Sequence, residues 1–489
     1  IIQEVYYEEV PKEQDDVTYI DLKGNVLMPS FIDPHSHIAQ VAMTLQTVDL
    51  SSCSDFVSLK ETLTKHCHSG KSCLIGFGYD HNHLLEKRHP TKQLLDEVSS
   101  DIPILITHKS GHMGVGNSAF LKIAGLADHS KNPQGGFIGR DEEGKLNGYL
   151  EEAAFMQATS MLPTTSLEEM SSYFEKAQDM YLSYGITTAQ DGLTKEKDFQ
   201  LLSLLAKEKK LKLDIVSYID MKECGSLVLE HPEYATYQNH YRIGGYKLIL
   251  DGSPQGKTAW LSSPYEGEDS YCGYPVYQDK EVHSFLKKAL EEEKQILVHC
   301  NGDAASEQFI RTCESFGKRD FYRPVMIHAQ TVRKDQLKRM SSLGMIPSFF
   351  VAHVYYWGDT HLQNLGDRSY HISPSKTALN LHLPFTFHQD TPVLPPDMFQ
   401  TIWCSVKRQT KNGIILGEEE RISVLDALRA VTINAAYQYF EENQKGSIRP
   451  FKNADFIIVD QDPLKVEIDQ LLNIKILETI FHGETVFQR

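Results

Sequence analysis

Short apolar runs followed by helical patterns recur through the second half of the chain. Residues 282–294 and 334–343 have apolar positions at helical spacing and separate several of these runs. Alternation of this kind is typical of parallel βα units. Together with an apolar run that ends just before His35, the strand candidates number eight and predict a distorted (β/α)8 TIM barrel, an α/β fold. The other seven candidates are residues 186–189, 213–217, 246–250, 296–299, 325–328, 345–349 and 384–387.

The two ends of the chain have a different pattern. Alternating polar and apolar positions predict short, half-exposed strands in residues 4–7, 18–22 and 484–487. Residues 445–460 are predicted to form a strand, a turn and a second strand. We therefore expect residues 1–28 and 440–489 to build one small β-sandwich domain beside a barrel formed by residues 29–439.

Residues 50–162 form a long insertion after the first barrel strand. The chain is irregular here, with Gly, Pro and His scattered through it. Insertions of this length after a barrel strand usually form lids or walls of a binding site. A helix is predicted next, because Ser166 and Glu169 make a capping box and Gly185 ends the helical pattern.

The composition is that of a globular protein, with 489 residues of which 41% are hydrophobic and 24% charged. This length fits one large domain with a smaller addition. The formal net charge of −17 disfavours nucleic acid and anionic membrane surfaces as partners. No apolar run reaches the roughly 18 residues that a membrane span needs.

Eight cysteines are scattered without a CxxC pair, so we expect reduced thiols and a cytoplasmic location. The first ten residues have neither a basic start nor a long apolar core, so we expect no signal peptide there. A homodimer is compatible with the sequence, although no interface signature is evident.

The candidate chemistry is concentrated at the predicted strand ends. His35 and His37 are two residues apart, so an extended backbone points both imidazoles to one side, where they can chelate a metal ion. His299 and His328 end two later strands, and Asp390 follows the last one. Working residues of such barrels lie at the carboxyl ends of the strands. Taken alone, each histidine could be a hydrogen-bonded core residue, but the shared placement predicts a metal site.

Lys247 lies inside an apolar strand. Alternation along this strand points Lys247, Ile249 and Asp251 into the barrel, whereas Leu248 and Leu250 pack outward on helices. A buried lysine loses affinity for its proton, which makes the neutral amine available for chemistry. The alternative is a lysine at a strand end whose ammonium group reaches water.

Several ordered motifs resemble those of the amidohydrolase superfamily. They are residues 29–37, 246–261, 298–303, 327–330 and 432–436, the last followed by 445–448. More narrowly, the chain is similar to the YtcJ-like branch, which includes N-substituted formamide deformylases. The resemblance covers essentially the whole chain.

The resemblance implies a set of metal ligands. These would be His35 and His37 on one ion, a carboxylated Lys247 bridging two ions, His299 and His328 on the second ion, and Asp390 in contact with metal and water. The insertion also resembles that of the branch at His112 and Glu152, which are candidates to bind substrate. Three positions depart from the branch: Ser110 replaces an aspartate, and His388 and Gln389 replace small residues.

The function predicted from this site is hydrolysis of an amide or another non-peptide C–N bond by metal-activated water. The substrate would be an N-acyl or N-formyl amide, and Asp390 would act first as general base and then as general acid. Trp260 and residues 76–80 are further candidates for the substrate wall, beside His112 and Glu152.

Three alternatives stay open at this level. The same site could hydrolyse an ester or lactone, or catalyse a lyase or isomerase step, since a fold does not fix a function. The protein could be a non-catalytic scaffold that retains the fold. The site could also hold one ion with Lys247 unmodified. Zinc is the expected metal, one or two ions per chain, although manganese, iron and nickel suit the same ligand types.

Overall fold

A computed structural model describes residues 1–7, 17–67, 72–81, 83–108, 113–162, 167–319 and 322–489. The chain divides into two compact units. The first consists of Ile1–Val41 with Phe174–Arg489, and the second is Ala42–Tyr173. Among the described helices, none combines the length and the apolar character that a bilayer span requires.

The first unit begins with two short strands on either side of Ser30. Strand β1 (Val26–Pro29) joins a sheet near the chain ends, and β2 (Phe31–Ile32) is the first barrel strand. Helix α1 (Ile38–Thr44) follows the two histidines. The strands predicted at residues 4–7 and 18–22 are wrong, since both described segments lack strand structure. Alternating polarity does not make a strand without a neighbouring strand to accept its hydrogen bonds.

The second unit contains the inserted segment and has a sheet of its own, in the order β3-β4-β5-β6-β8-β7. The strands are β3 Val48–Asp49, β4 Leu74–Tyr79, β5 Ile104–His108, β6 Met113–Gly116, β7 Gly136–Arg140 and β8 Leu146–Glu152. The helices are α2 Phe56–His66, α3 Lys92–Asp96, α4 Ser118–Ile123 and α5 Ala153–Thr159. The prediction of an irregular segment is therefore wrong. Glycines hid the strands: Gly76 and Gly114 interrupt the apolar pattern, yet a Cβ at either one would lie 2.5 Å from a neighbouring atom.

The barrel is an eight-stranded sheet in which every neighbouring pair is parallel, in the order β15-β14-β13-β12-β11-β10-β9-β2. Its later strands are β9 Ile186–Thr194, β10 Asp214–Asp220, β11 Tyr241–Ile249, β12 Gln295–Cys300, β13 Val325–His328, β14 Ile346–Phe349 and β15 Thr386–Phe387. All seven lie at or overlap the predicted runs. The predicted (β/α)8 TIM barrel is confirmed.

Helices connect these strands along the chain. The α-helices are α6 Leu167–Ser183, α7 Glu196–Lys207, α8 Leu227–Glu230, α9 Asp279–Glu291, α10 Asp303–Phe316, α11 Lys334–Leu343, α12 His353–Tyr356, α13 Gly358–Leu365, α14 Ser375–Asn380, α15 Met398–Lys407, α16 Val424–Ala430 and α17 Ile433–Gln438. Short 3-10 turns occupy Pro232–Ala235, Gly366–His371, Glu418–Glu420 and Ile468–Asn473. Helix α6 confirms the helix predicted before Gly185, although Ser166 of its predicted capping box lies outside the described residues.

One buried apolar cluster gathers side chains from several barrel strands. Its strand members are Ile32, Val216, Tyr218, Leu297, Val325, Ile327 and Ile346. Convergence of non-adjacent strands on one cluster identifies these positions as the inward face of the sheet. The direction in which a site residue points can therefore be judged by whether it alternates in step with these inward positions.

The small sheet joins the two chain ends, in the antiparallel order β1-β16-β17-β18. Its later strands are β16 Phe456–Val459, β17 Ile476–Phe481 and β18 Glu484–Gln488. Strands β16 and β18 match predicted ones, whereas β17 was not predicted. The strand predicted at the start of residues 445–460 is wrong, because the chain forms bends and a turn there. In the described part of the chain these four strands form a single sheet.

Candidate metal centre

Two loops at the carboxyl ends of the first and last barrel strands meet at three candidate ligands. Atom Oδ1 of Asp390 lies 3.3 Å from Nε2 of His35 and 3.1 Å from Nε2 of His37. The three ligand atoms all lie within 4.8 Å of one another. A backbone hydrogen bond of 2.8 Å from His37 N to Thr391 O joins the two loops. Because the eight-stranded sheet curls, its first and last strands bring His37 and Asp390, which are 353 positions apart, into one site.

Gln190 fixes the orientation of the His35 ring. Its Oε1 lies 2.6 Å from Nδ1 of His35, and its Nε2 donates to Pro34 O and to the Tyr439 hydroxyl. Since the amide nitrogen is used elsewhere, Oε1 accepts from Nδ1–H, and Nε2 of His35 keeps its lone pair. Burial lowers the pKa of His35 well below its ordinary value, so the ring is a neutral ligand.

Lys247 lies beside this group, as its position in the strand predicted. Its Nζ is 3.1 Å from Nε2 of His35, and the side chain is 2% exposed. Burial lowers the pKa of Lys247 to about 7, although Asp390 acts in the opposite direction. A substantial fraction of the amine is therefore neutral at physiological pH.

The other two histidines face each other on the adjacent strands β12 and β13. Nδ1 of His299 lies 2.9 Å from Nε2 of His328. His299 Nε2 lies 3.2 Å from Gly252 O and 3.1 Å from Nδ2 of Asn301. Burial, followed by the nearby Lys247, lowers the pKa of His299 to about 4. These rings are neutral as well.

Backbone strain turns two of the candidate ligands into the site. Val325 and Ile327 belong to the inward apolar cluster, so strict alternation would point His328 outward. Its φ of 71° reverses that direction. Asp390 also lies in the left-handed region, with φ of 57°. Such non-glycine conformations cost about 1–3 kcal/mol each and are concentrated at functional sites.

Asp390 is the carboxylate of this group and contacts His35 and His37. Burial by itself would raise its pKa, but the hydrogen bond with His37 and the proximity of His328 and His35 leave the pKa well below its ordinary value. The carboxylate is therefore ionised at neutral pH. Neutral imidazole nitrogens around an ionised oxygen are the donor set that a divalent transition metal takes, so the residues present fit such an ion.

The amidohydrolase family profile matches residues 18–487. The chain belongs to the amidohydrolase family. It is 24% identical to an N-substituted formamide deformylase of Arthrobacter pascens, over 97% of this chain and 90% of that protein. It is 25% identical to YtcJ of Bacillus subtilis (strain 168), provisionally named an amidohydrolase, over 96% of this chain and 90% of the relative.

A solved structure resembles this amidohydrolase family member in fold as well as in sequence. It is an uncharacterized metal-dependent hydrolase from Pyrococcus horikoshii OT3, with a TM-score of 0.76 and 26% identity. The similarity covers 92% of this chain and 89% of that one. The predicted family and branch are thereby confirmed.

The remaining predicted site residues of this family member are Trp260, Glu152 and His112. The half-buried Trp260 donates from its backbone nitrogen to Asp251 at 2.9 Å, and Glu152 lies in the second unit with φ of 50°. His112 and Ser110 lie outside the described residues. The roles of His112, Glu152 and Trp260 in substrate binding stay predictions.

Two residues of the centre had not been predicted to act there. The first is His388, whose Nε2 lies 3.2 Å from Nδ1 of His328. The Nδ1 atom of His388 lies 2.9 Å from the Ser348 hydroxyl. The sequence did contain a signal for His388, because it replaces one of the small residues that the branch has before the aspartate at position 390. Gln190, the partner of His35, follows a predicted apolar strand directly, and a polar residue at a strand end was the signal that could have found it.

Proposed function

We propose that this protein is a metal-dependent hydrolase that cleaves an amide or another non-peptide C–N bond. The observation that carries the proposal is the convergence of Nε2 of His35, Nε2 of His37 and Oδ1 of Asp390, with Lys247 Nζ 3.1 Å from His35. Two relatives support it, one named a formamide deformylase and the other a metal-dependent hydrolase.

The proposed ligands fall into two groups around Lys247. His35, His37 and Asp390 would hold one ion, and His299 and His328 would hold a second. Lys247 would carry a carboxyl group taken from CO2 and contact both ions. Its burial and its pKa of about 7 support this role, because CO2 adds to a neutral amine. Zinc suits this mixture of imidazole nitrogen and carboxylate oxygen.

Bound divalent ions would supply an activated water and polarise the substrate carbonyl. Asp390 takes the proton of the attacking water at its carboxylate, since it is ionised at neutral pH. It then gives this proton to the nitrogen of the leaving group. Gln190 and His388 keep the His35 and His328 rings oriented while this transfer occurs.

An N-acyl or N-formyl amide is the proposed substrate. Ester or lactone hydrolysis is the second candidate, because the same carboxylate and ligands could act on an ester carbonyl. A lyase or isomerase step and a non-catalytic scaffold are the remaining alternatives. A cytoplasmic location and a homodimer stay predictions.

A differential metal count combined with a substrate panel tests the proposal. Metal per chain is measured by elemental mass spectrometry for the wild type and for the His35→Ala/His37→Ala variant, both purified without chelators. His371→Ala is the control, because this histidine is 62% exposed. We expect the double variant to lose one or two equivalents that the control retains.

The panel offers matched N-formyl amides, N-acyl amides, esters and lactones to the metal-loaded protein. We expect hydrolysis of at least one amide, and its loss in the double variant. Hydrolysis of esters alone would favour the second candidate. If the wild type contains no more metal than the double variant and hydrolyses none of the substrates, the non-catalytic scaffold is favoured.

A further inference from the structure

A second group of metal-binding side-chain types lies in the Ala42–Tyr173 unit. Asp80 and His81 directly follow strand β4, and His108 ends strand β5. These strands are parallel neighbours, with Tyr79 opposite His108. The carboxyl ends of parallel neighbours lie at one edge of a sheet, so the backbones that carry these three side chains lie close together. Their ligand atoms all lie within 4.8 Å of one another.

The three ligand atoms form a compact triangle. Oδ1 of Asp80 lies 3.3 Å from Nε2 of His108 and 3.9 Å from Nδ1 of His81. The two imidazole nitrogens are 3.4 Å apart. A point equidistant from the three atoms lies about 2.1 Å from each, which matches the Zn–N and Zn–O bond lengths of 2.0–2.2 Å.

We propose that Asp80, His81 and His108 form a second site for a divalent transition metal, separate from the barrel centre. Two imidazole nitrogens and one carboxylate oxygen suit zinc among the common biological metals. Three protein ligands leave a fourth position for water or a small ligand. The proposal does not depend on the proposed function, because none of its residues belongs to the barrel.

Packing around the three ligand atoms restrains the side chains that carry them. Asp80 and His108 are each 6% exposed, so two of the three ligands are fixed inside the unit. The ring of His89 lies 4.1 Å from the ring of His81 at 30°, and Nδ1 of His89 contacts the Tyr79 hydroxyl at 3.0 Å. His81 is thereby restrained although its side chain is 27% exposed.

His83 is a further imidazole beside Asp80. Its Nδ1 lies 3.6 Å from Oδ2 of Asp80, and its side chain is 75% exposed. A ring this exposed can rotate toward an ion at little cost, because it has few packing contacts to lose. His83 therefore belongs in the test as a separate variant.

Another cluster with the same residue types is not proposed as a metal site. Asp214, His240 and His482 also bring their ligand atoms within 4.8 Å. However, the buried ammonium group of Lys445 contacts Asp214 directly and already neutralises its charge.

Metal binding to the second site is measured in protein whose barrel centre has been disabled by His35→Ala/His37→Ala. Into this background we introduce His81→Ala/His108→Ala, and as a control His66→Ala, an exposed histidine of the same unit whose Nδ1 lies 2.9 Å from Thr62 O. Each protein is titrated with Zn²⁺ by calorimetry. Co²⁺ absorption then reports on nitrogen ligation and on four-coordinate geometry.

We expect the barrel-disabled protein and the His66→Ala control to bind one equivalent more than the variant that lacks His81 and His108. His83→Ala should weaken binding if His83 supplies the fourth donor. Because His108 is buried, His81→Gln alone serves as a second variant, and its Zn²⁺ affinity should fall at least tenfold. Equal metal binding with and without these histidines in folded protein, judged by circular dichroism, would overturn the proposal.

Discussion

The side-chain nitrogen of Lys247 lies 3.1 Å from Nε2 of His35, and both side chains are almost completely buried. Burial lowers the pKa of both groups, so this contact joins a neutral imidazole to an amine of which a substantial fraction is neutral. A protein gains little stability from such a pair compared with an apolar one. The arrangement is explained if both groups serve a shared ion, as proposed above.

Lys247→Ala should abolish activity and remove bound metal from the barrel centre, because the proposed bridge between the ions is lost. We expect at least a 100-fold fall in kcat/KM, roughly the contribution of a positioned catalytic group. Short carboxylic acids such as acetate or propionate should restore part of the activity by supplying the missing carboxylate. The control is Lys288→Ala, whose side chain is 43% exposed.

A carboxylated Lys247 also makes a spectroscopic prediction. Metal-loaded wild type prepared with 13C-bicarbonate should have a carbamate carbon resonance that Lys247→Ala lacks. Loss of activity without rescue, together with no carbamate signal in the wild type, would support an unmodified lysine and a single ion.

Asp390→Asn should keep the fold and most of the metal but lose turnover, since an amide cannot accept the proton of the attacking water. The expected fall in kcat is about 100- to 10,000-fold. Asp359→Asn is a matched control, because this carboxylate of the same unit accepts hydrogen bonds from Thr410 and Asn412. Activity within twofold of the wild type would assign the proton transfer to another group.

His388→Ala should weaken metal binding without removing a proposed ligand. His388 contacts Nδ1 of His328 at 3.2 Å and so sets the direction of that ring. Loss of such a partner typically costs 10- to 100-fold in metal affinity. Competition with a chelator measures this change, and His388→Gln should recover part of it by contacting His328 again. The exposed His371 provides the control substitution.

Lys445→Met should destabilise the barrel unit strongly. The ammonium group of Lys445 is buried between Asp214 and Glu441, 2.9 Å from the latter. Removal of one partner from a buried ion pair costs about 3–5 kcal/mol. Here Asp214 stays buried without its lysine partner, whereas Glu441 keeps Arg242 at 2.9 Å. Urea unfolding at pH 7 measures the loss, and Lys407→Met, with a partly exposed partner, should cost less than about 1 kcal/mol.

The same ion pairs predict how the loss of stability in Lys445→Met depends on pH. Burial would raise the pKa of Asp214 and of Glu441, but Lys445 and its neighbours leave both below their ordinary values. Their contribution to the free energy of unfolding is therefore complete above the unfolded-state pKa of about 4 and is lost as pH falls through the lower folded-state pKa. In Lys445→Met both carboxylates lack that partner and can take up protons at higher pH. The stability difference between wild type and variant should shrink as pH falls from 7 to about 4, and a constant difference would contradict this account.

The barrel was predictable because its strands are buried on both faces and appear as continuous apolar runs. Strands β9 to β15 all lie at or overlap such runs. The inserted unit was not predictable in this way, because glycines at tightly packed positions replace apolar residues in its strands. Strand β17 was missed for another reason: residues of the small sheet are only partly buried, so their pattern is weak.

The sequence by itself determined which ligand types stand at the strand ends and which way His299 points. Leu297 belongs to the inward cluster, so alternation alone turns His299 inward. His328 is different, since alternation from Ile327 would point it outward, and only its φ of 71° brings it to the site. A dihedral angle of this kind is unfavourable locally and persists because the surrounding packing and hydrogen bonds stabilise it. Likewise, the approach of Asp390 to His35 depends on the curl of the whole sheet, which no local pattern encodes.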